Sequence, residues 1–336
     1  MEPPESLGEL YRQRAQSLRD KYDYLVLWYS GGADSQNILD TFLDNDIKLD
    51  EVASLTTFSG TGDRNDRMNA EVYHVAIPTA EKAKQQQPWL RHTLVDYCQM
   101  VIKHFEQPST KFDWVYQANN NVNPQSMCRP MYQTQSQKHW QDMFDQGKRV
   151  GFIWGVDKPH VKGINGNFFC HFQDQIDPVK HSWSQTLDRP WEFDEMFYWD
   201  PDHPYIVVKQ AHVVKRYLQT LTDQSPEVEL SYVTRPFGSY CAVSFENKLL
   251  YVHQRHLPRL LYPKWRPIPY QFKPNSLVFS FRDEYFFRMS DSEPAKQAWR
   301  IGIEHRWQQT PSSLKTDPVK LSSGFKYIRS KSYKFA

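Results

Sequence analysis

The chain has 336 residues, with 41 Lys and Arg against 39 Asp and Glu for a net charge of +2; at ~150 residues per domain this is about two domains' worth. The near balance leaves no electrostatic footprint for nucleic acid in the net charge, and 15% aromatic residues are too much large apolar surface for an intrinsically disordered chain. The longest apolar runs, such as Tyr24–Tyr29, fall far short of the ~18–20 residues of a membrane span, and no basic stretch leading into an apolar one opens the chain, so a secretory precursor is not expected.

Residues 1–23 read as a polar helix with a thin apolar stripe of Leu7, Leu10, Tyr11 and Leu18. Tyr24–Tyr29 is a continuous apolar run, the signature of a strand buried on both faces of a parallel sheet. Ser30-Gly31-Gly32-Ala33-Asp34-Ser35 interrupts it, and Ile38, Leu39, Phe42 and Leu43 then recur at helical spacing. Glu51–Phe58 is a second strand; 65–87 is helical in part, with Pro78 expected to break it. A strand at His92–Val95 leads into a helix over Asp96–Phe105, and a polar, Asn-rich loop runs from Gln107 to Pro130. A helix at about Tyr132–Gln146 and a strand Val150–Trp154 follow. This alternation predicts an α/β, Rossmann-like parallel sheet flanked by helices. After Pro159 short aromatic, Pro-punctuated segments replace it, with helices at Tyr205–Leu221 and Glu293–Gln308. The reading is thus a domain over 1–158 and an aromatic-rich α+β region over 159–336.

Cys98, Cys128, Cys170 and Cys241 are scattered with no C-x-x-C pair, which fits a reducing, cytoplasmic compartment better than a disulfide scaffold. His160, His171, His181 and His203 crowd one region, but their spacing matches no metal template. Lys209, Lys215 and Arg216 read as a solvated helix face, and the final Ser330–Lys334 as a frayed tail or as a strand whose lysines reach the active site.

The informative feature is the loop after the first strand. Gly31 and Gly32 close a buried strand and open a helix, where backbone N–H groups and the helix dipole favour an anion. Adjacent glycines allow close approach to a phosphate and a positive φ. Ser30 and Ser35 can donate hydroxyl hydrogen bonds. Asp34 is out of place beside an anion unless a divalent cation lies between them, and Mg²⁺ held by a carboxylate and substrate phosphates is the common arrangement. The bland alternative is a tight turn with Asp34 or Ser35 capping the helix. The loop lacks the Lys of a Walker A motif and the third glycine of a dinucleotide fingerprint.

Ser30-Gly31-Gly32-Ala33-Asp34-Ser35 resembles the SGGxDS PP-loop of the N-type ATP pyrophosphatases, the adenine nucleotide alpha hydrolase-like superfamily, and the likeness extends over the strand–helix order of residues 24–158. The branch it looks closest to is that of the PAPS reductases, of which phages carry accessory members. The resemblance implies a five-stranded parallel sheet, ATP and Mg²⁺ at the loop, and attack of an acceptor oxygen on the α-phosphorus, leaving an adenylated acceptor and pyrophosphate. Carried onto this chain, Ser30, Gly31, Gly32, Ala33 and Ser35 would bind pyrophosphate and Asp34 would hold Mg²⁺. Thr57 and Phe58 stand where such folds seat adenine. Cys128-Arg129-Pro130 is similar to a ligand-side loop of the PAPS reductases, and Arg129, or Lys138 further on, would neutralise phosphate. Asp157 and Lys158 end the last predicted strand, the edge where ligands bind. The reductive E-C-G-x-H segment of that branch is missing, so sulfonucleotide reduction is disfavoured, and a non-catalytic nucleotide sensor is the rival from another class. The rings after 159, in Phe168–Phe172, Trp191–Trp199 and Tyr262–Phe272, are expected to face the nucleotide site as an acceptor-binding wall, suited to a small molecule, a nucleotide or a nucleic-acid base.

Overall fold

The computed structural model describes residues 1–66, 69–98, 136–155, 158–164, 167–171, 194–198, 200, 203–223, 241–245, 248–252, 257–267 and 333–335. Helix α1 (Leu7–Lys21) begins with a capping box, in which the Glu9 N–H donates to Ser6 Oγ and the Ser6 N–H to Glu9 Oε2, satisfying two otherwise unpaired amides. It buries Leu10, Tyr11, Ala15 and Leu18, and also Arg14. Strand β1 (Tyr24–Trp28) has Leu25, Val26 and Leu27 fully buried, as its unbroken apolar run requires. Helix α2 (Ala33–Asp44) follows, then β2 (Glu51–Thr56), a short turn of helix α3 (Phe58–Thr61), helix α4 (Ile77–Gln86) and β3 (Arg91–Asp96). Helix α5 (Lys138–Asp145) leads into β4 (Val150–Trp154).

Pro78 does not break the third helical segment. The five residues Val72–Ala76 form a π turn, with the Ile77 N–H donating to the Val72 carbonyl, and the chain runs straight on into α4. A proline lacks an N–H and crowds the carbonyl four residues back; the wider turn just before it accommodates both. The predicted helix over Asp96–Phe105 and the loop over 107–130 lie almost wholly outside the described residues.

The rest of the chain supplies β5 (His160–Ile164), β6 (Asn167–His171), β7 (Asp194–Met196), α6 (Tyr205–Asp223), β8 (Cys241–Phe245), β9 (Lys248–Val252), α7 (Leu257–Leu261) and β10 (Tyr333–Phe335). The first sheet is all parallel, in the order β3-β2-β1-β4-β7. Its fifth strand comes from beyond residue 159: Phe152–Trp154 pair with Asp194–Met196. The second sheet is mixed, in the order β10-β6-β5-β8-β9. The carboxyl-terminal segment is therefore a strand, with Tyr333–Phe335 antiparallel to Phe168–Cys170. Among the described residues no helix is long and apolar enough to cross a membrane.

Rings build much of the core. Trp28 stacks on Trp154 at 5.1 Å and meets Trp140 edge-on at 5.8 Å. On the other side Tyr11, Phe197, Tyr198 and Tyr262, all buried, pack together, with Tyr198 and Tyr262 stacked at 5.6 Å. Such pairs add about 0.5–1.5 kcal/mol each beyond their buried area.

Two of the α6 cations expected to be merely solvated fasten the amino terminus. Arg216 donates to both Glu2 carboxylate oxygens at 2.7 and 2.9 Å, and Lys209 lies 3.0 Å from the same group. The Arg216 hydrogen bond, helped by Lys209, draws the Glu2 carboxyl down from 4.5 to about 2. A carboxyl whose folded-state pKa is depressed contributes stability above its unfolded value and loses it as pH falls toward the folded one. Glu2→Gln is therefore expected to lower the urea midpoint at pH 7, with the deficit closing as pH falls from 4.5 to 2. A deficit that stays constant across that window would show that the ion pair contributes nothing.

Candidate phosphate-binding site

The order of the first sheet reverses between β1 and β4, since β2 and β3 lie to one side and β4 and β7 to the other. The loops leaving the carboxyl ends of β1 and β4 part there, opening the crevice in which doubly wound α/β folds take their ligands. The loop after β1 is Ser30–Gly32, and the stretch after β4 carries Gly155 and Lys158. Both ends of the sequence reading thus meet at one point of the sheet.

Gly31 has φ +81°, a left-handed conformation that only glycine adopts without strain. A Cβ there would come within 3.2 Å of the Ala76 nitrogen and the Val75 side chain in the π turn. Gly32 is the N-cap of α2 and brings no side chain to cap it. Its N–H donates to Ser30 Oγ at 3.2 Å, and Ser35 Oγ donates back to the Gly32 carbonyl at 3.1 Å. Asp34 and Ser35 lie inside the first helical turn and are not the caps. Gly155 allows β4 to end against that turn: a Cβ on it would meet the Ser35 nitrogen at 3.1 Å.

Asp34 is the hub. Lys158 Nζ approaches both of its carboxylate oxygens, at 2.7 and 2.8 Å, with both side chains largely buried. The Tyr262 hydroxyl donates to Asp34 Oδ1. The Tyr198 hydroxyl donates to the Asp34 main-chain carbonyl at 2.7 Å and accepts from Asn37 Nδ2 at 3.0 Å. Burial, reinforced by the Asp34 charge, raises both tyrosine hydroxyls well above their ordinary pKa, so they are donors at every physiological pH. Beside Tyr262 a shallow crevice, open to solvent, runs along α2 past Ala33, Asn37, Asp40 and Arg266. Burial raises the pKa of Asp40, which accepts from Gln36 Nε2 at 2.7 Å.

The carboxyl end of β2 is organised by Asn69, which is fully buried. Its Oδ1 accepts from the Thr57 N–H at 2.9 Å and from the Thr56 and Thr57 hydroxyls, and its Nδ2 donates to Thr61 Oγ1 and the Asp63 carbonyl. The Thr57 amide is thereby engaged by the protein. Phe58 is half-buried against Tyr73 at 5.5 Å, with the Arg64 guanidinium lying over both rings. Ser59 donates twice to Asp96 at the end of β3.

The sequence matches no protein family model and no curated protein. Ser30, Gly31, Gly32, Ala33, Asp34, Ser35 and Lys158 come together at the crevice, while Thr57 and Phe58 stand one strand away. Arg129 and Asp157 lie outside the described residues. Lys138 pairs with Asp142; its neighbours His139 and Trp140 contact Glu51 at the amino-terminal end of β2, the edge away from the loop. Tyr198, Tyr262, Asn69 and Gly155 were not singled out from the sequence as site residues.

Among the described residues no three His, Cys, Asp or Glu side chains gather to hold a metal. At the loop the described carboxylate is Asp34, which Lys158 and Tyr262 engage; one carboxylate suits a cation that brings phosphate ligands of its own better than a resident metal.

Proposed function

We propose that the chain is an ATP-dependent enzyme of the PP-loop kind, taking Mg·ATP as substrate, adenylating an acceptor and releasing pyrophosphate. The observation that carries this reading is the loop itself: a strand–SGGADS–helix turn with a left-handed Gly31 and an uncapped helix start, lying at the reversal point of a parallel sheet with Lys158, from the stretch after β4, beside it. Backbone N–H groups of the loop and the first turn of α2 face the β- and γ-phosphates, Ser30 and Ser35 add hydroxyl donors, and Lys158 adds a charge. Lys158 turns from Asp34 to the phosphate oxygens, and the Asp34 carboxylate, held in place, would face the cation brought by the phosphates. An acceptor oxygen attacks the α-phosphorus, the bond to the bridging oxygen breaks, and pyrophosphate leaves as the acceptor gives up its proton. The protein's contribution is positioning and charge neutralisation.

The test is incubation with Mg·ATP and a panel of nucleosides, oligonucleotides, amides and carboxylates, following pyrophosphate and AMP. Asp34→Ala is expected to lower turnover about 100-fold or more, the scale on which preorganised charge-stabilising groups act. Turnover unchanged in that variant would overturn the assignment. Tight Mg·ATP binding with no pyrophosphate from any acceptor would make the protein a nucleotide-binding module instead.

A further inference from the structure

Asp34 is held by Lys158, Tyr198 and Tyr262, none of which belongs to the loop motif, and the two tyrosines lie 164 and 228 residues further along the chain. Tyr198 follows β7, the strand added to the first sheet from beyond residue 159, and its neighbour Phe197 is tied to β4 by an N–H donated to the Trp154 carbonyl at 3.0 Å. Tyr262 follows α7, its N–H donating to the Pro258 carbonyl at 2.9 Å. The two rings stack on each other, and Tyr11 of α1 meets Tyr198 edge-on at 5.7 Å. Three separately placed elements thus converge behind one residue of the phosphate loop.

We propose that Tyr262 and Tyr198 are positioning residues of the loop. Tyr262 fixes the Asp34 side chain through its hydroxyl, and Tyr198 fixes the first turn of α2 through the Asp34 carbonyl. This rests on the loop being the nucleotide site, but assigns the shape of that site to residues 198 and 262.

The physical reason is that a carboxylate can rotate away toward solvent, or swing with Lys158, and would lose that freedom on binding. The Tyr262 hydroxyl removes it beforehand. It remains a neutral donor, so it holds the carboxylate without cancelling the charge that a divalent cation needs. Tyr198 acts on the main chain. A first-turn carbonyl of a helix normally accepts from the N–H four residues on; Asp34 O receives a hydroxyl as well, and the Asn37 amide fixes that hydroxyl's own orientation. The buried cluster offers an internal control. The Tyr11 hydroxyl donates to the Leu261 carbonyl at 2.9 Å and accepts from Gln210, and makes no hydrogen bond to Ser30–Ser35.

The test uses the full chain and three variants, Tyr262→Phe, Tyr198→Phe and Tyr11→Phe, each removing one buried hydroxyl from the same ring cluster. Two readouts are taken. Hydrogen exchange of the first-turn amides of α2 measures positioning without any nucleotide. Titration with ATP, with and without Mg²⁺, measures its consequence. Tyr262→Phe is expected to weaken Mg·ATP about tenfold, the scale of a hydrogen bond to a charged group, while metal-free ATP is bound as by the parent. Tyr198→Phe should speed exchange over 34–37 about tenfold and weaken both forms. Tyr11→Phe, at similar loss of thermal stability, should do neither. The inference is overturned if Tyr11→Phe matches the other two, or if exchange and affinity stay at parental values in both. A parent chain that binds no nucleotide at all would overturn the functional reading; accelerated exchange over 34–37 in Tyr198→Phe alone among the variants would still support its positioning role.

Discussion

Truncating Glu195 to alanine is expected to cost about 3–5 kcal/mol of folding stability, because it strands buried charge. Glu195 lies in β7 with its side chain 5% exposed, and Arg14 of α1 donates to its Oε2 at 2.8 Å with 4% exposure. The same guanidinium reaches Asp200 at 2.9 Å and the Met196 carbonyl at 3.2 Å. The second carboxylate oxygen accepts from the Tyr22 hydroxyl at 2.6 Å and from Lys21 at 2.7 Å. Removing Glu195 leaves Arg14 in the interior with only Asp200 as counter-charge, and it unpins the edge strand that carries Tyr198. Lys21→Ala, by contrast, removes a half-exposed partner, where such pairs contribute about 0–1 kcal/mol. Urea titration of the two variants measures the difference directly. A Glu195→Ala midpoint equal to that of Lys21→Ala would mean the buried network does not hold β7 in place.

That network also explains which parts of the fold were legible. β1 and β4 could be read because strands buried on both faces are apolar throughout, and runs such as Tyr24–Trp28 and Val150–Trp154 have no other stable use; β2 is buried too but carries Glu51, Ser54 and Thr56. β7 has the sequence Asp-Glu-Met, which no periodicity argument would choose. It becomes a strand because Arg14, Lys21 and Tyr22, some 170 to 180 residues earlier, satisfy its carboxylate. The loop was legible for the same kind of reason as β1. Ser30–Ser35 is a contiguous constellation whose glycines, hydroxyls and carboxylate sit together in sequence as in space. Tyr262 and Tyr198 act through hydroxyl hydrogen bonds to a helix more than 160 residues away, and one tyrosine in a tyrosine-rich chain carries no sequence signal of that role; Asn69 acts locally, on Thr56–Asp63. Of the rings expected to wall the site, Trp265 lines the crevice beside Tyr262, while Tyr198 and Tyr262 are buried behind Asp34 and hold it through their hydroxyls. At Pro78 the pattern misleads: a proline inside a helical pattern marks a break unless a wider turn precedes it, and the π turn at Val72–Ala76 leaves no mark in hydrophobic spacing.

On the proposed reading of the loop, the same π turn makes Gly31→Ala damaging to nucleotide binding. At φ +81° an L-residue pays about 1–2 kcal/mol of strain. The new Cβ would also stand 3.2 Å from the Ala76 nitrogen and the Val75 Cβ, a contact too tight to leave both neighbours in place. The loop can relieve it only by rotating the Gly31–Gly32 peptide or pushing the π turn away, and either movement re-aims the N–H groups that the phosphates need. Mg·ATP affinity is expected to fall about 100-fold, since phosphate binding here depends on several amides aimed together. Gly147 separates strain from geometry. Its φ is +73°, it closes α5 with its N–H donating to the Phe144 carbonyl at 2.9 Å, and nothing lies within 4 Å of a Cβ placed on it. Gly147→Ala should therefore lose a comparable 1–2 kcal/mol from strain alone and bind Mg·ATP as the parent does. Calorimetric titration of both variants, with urea midpoints beside it, distinguishes the cases. If Gly31→Ala loses stability like Gly147→Ala but keeps full affinity, the loop after β1 is a structural turn and the nucleotide must bind elsewhere.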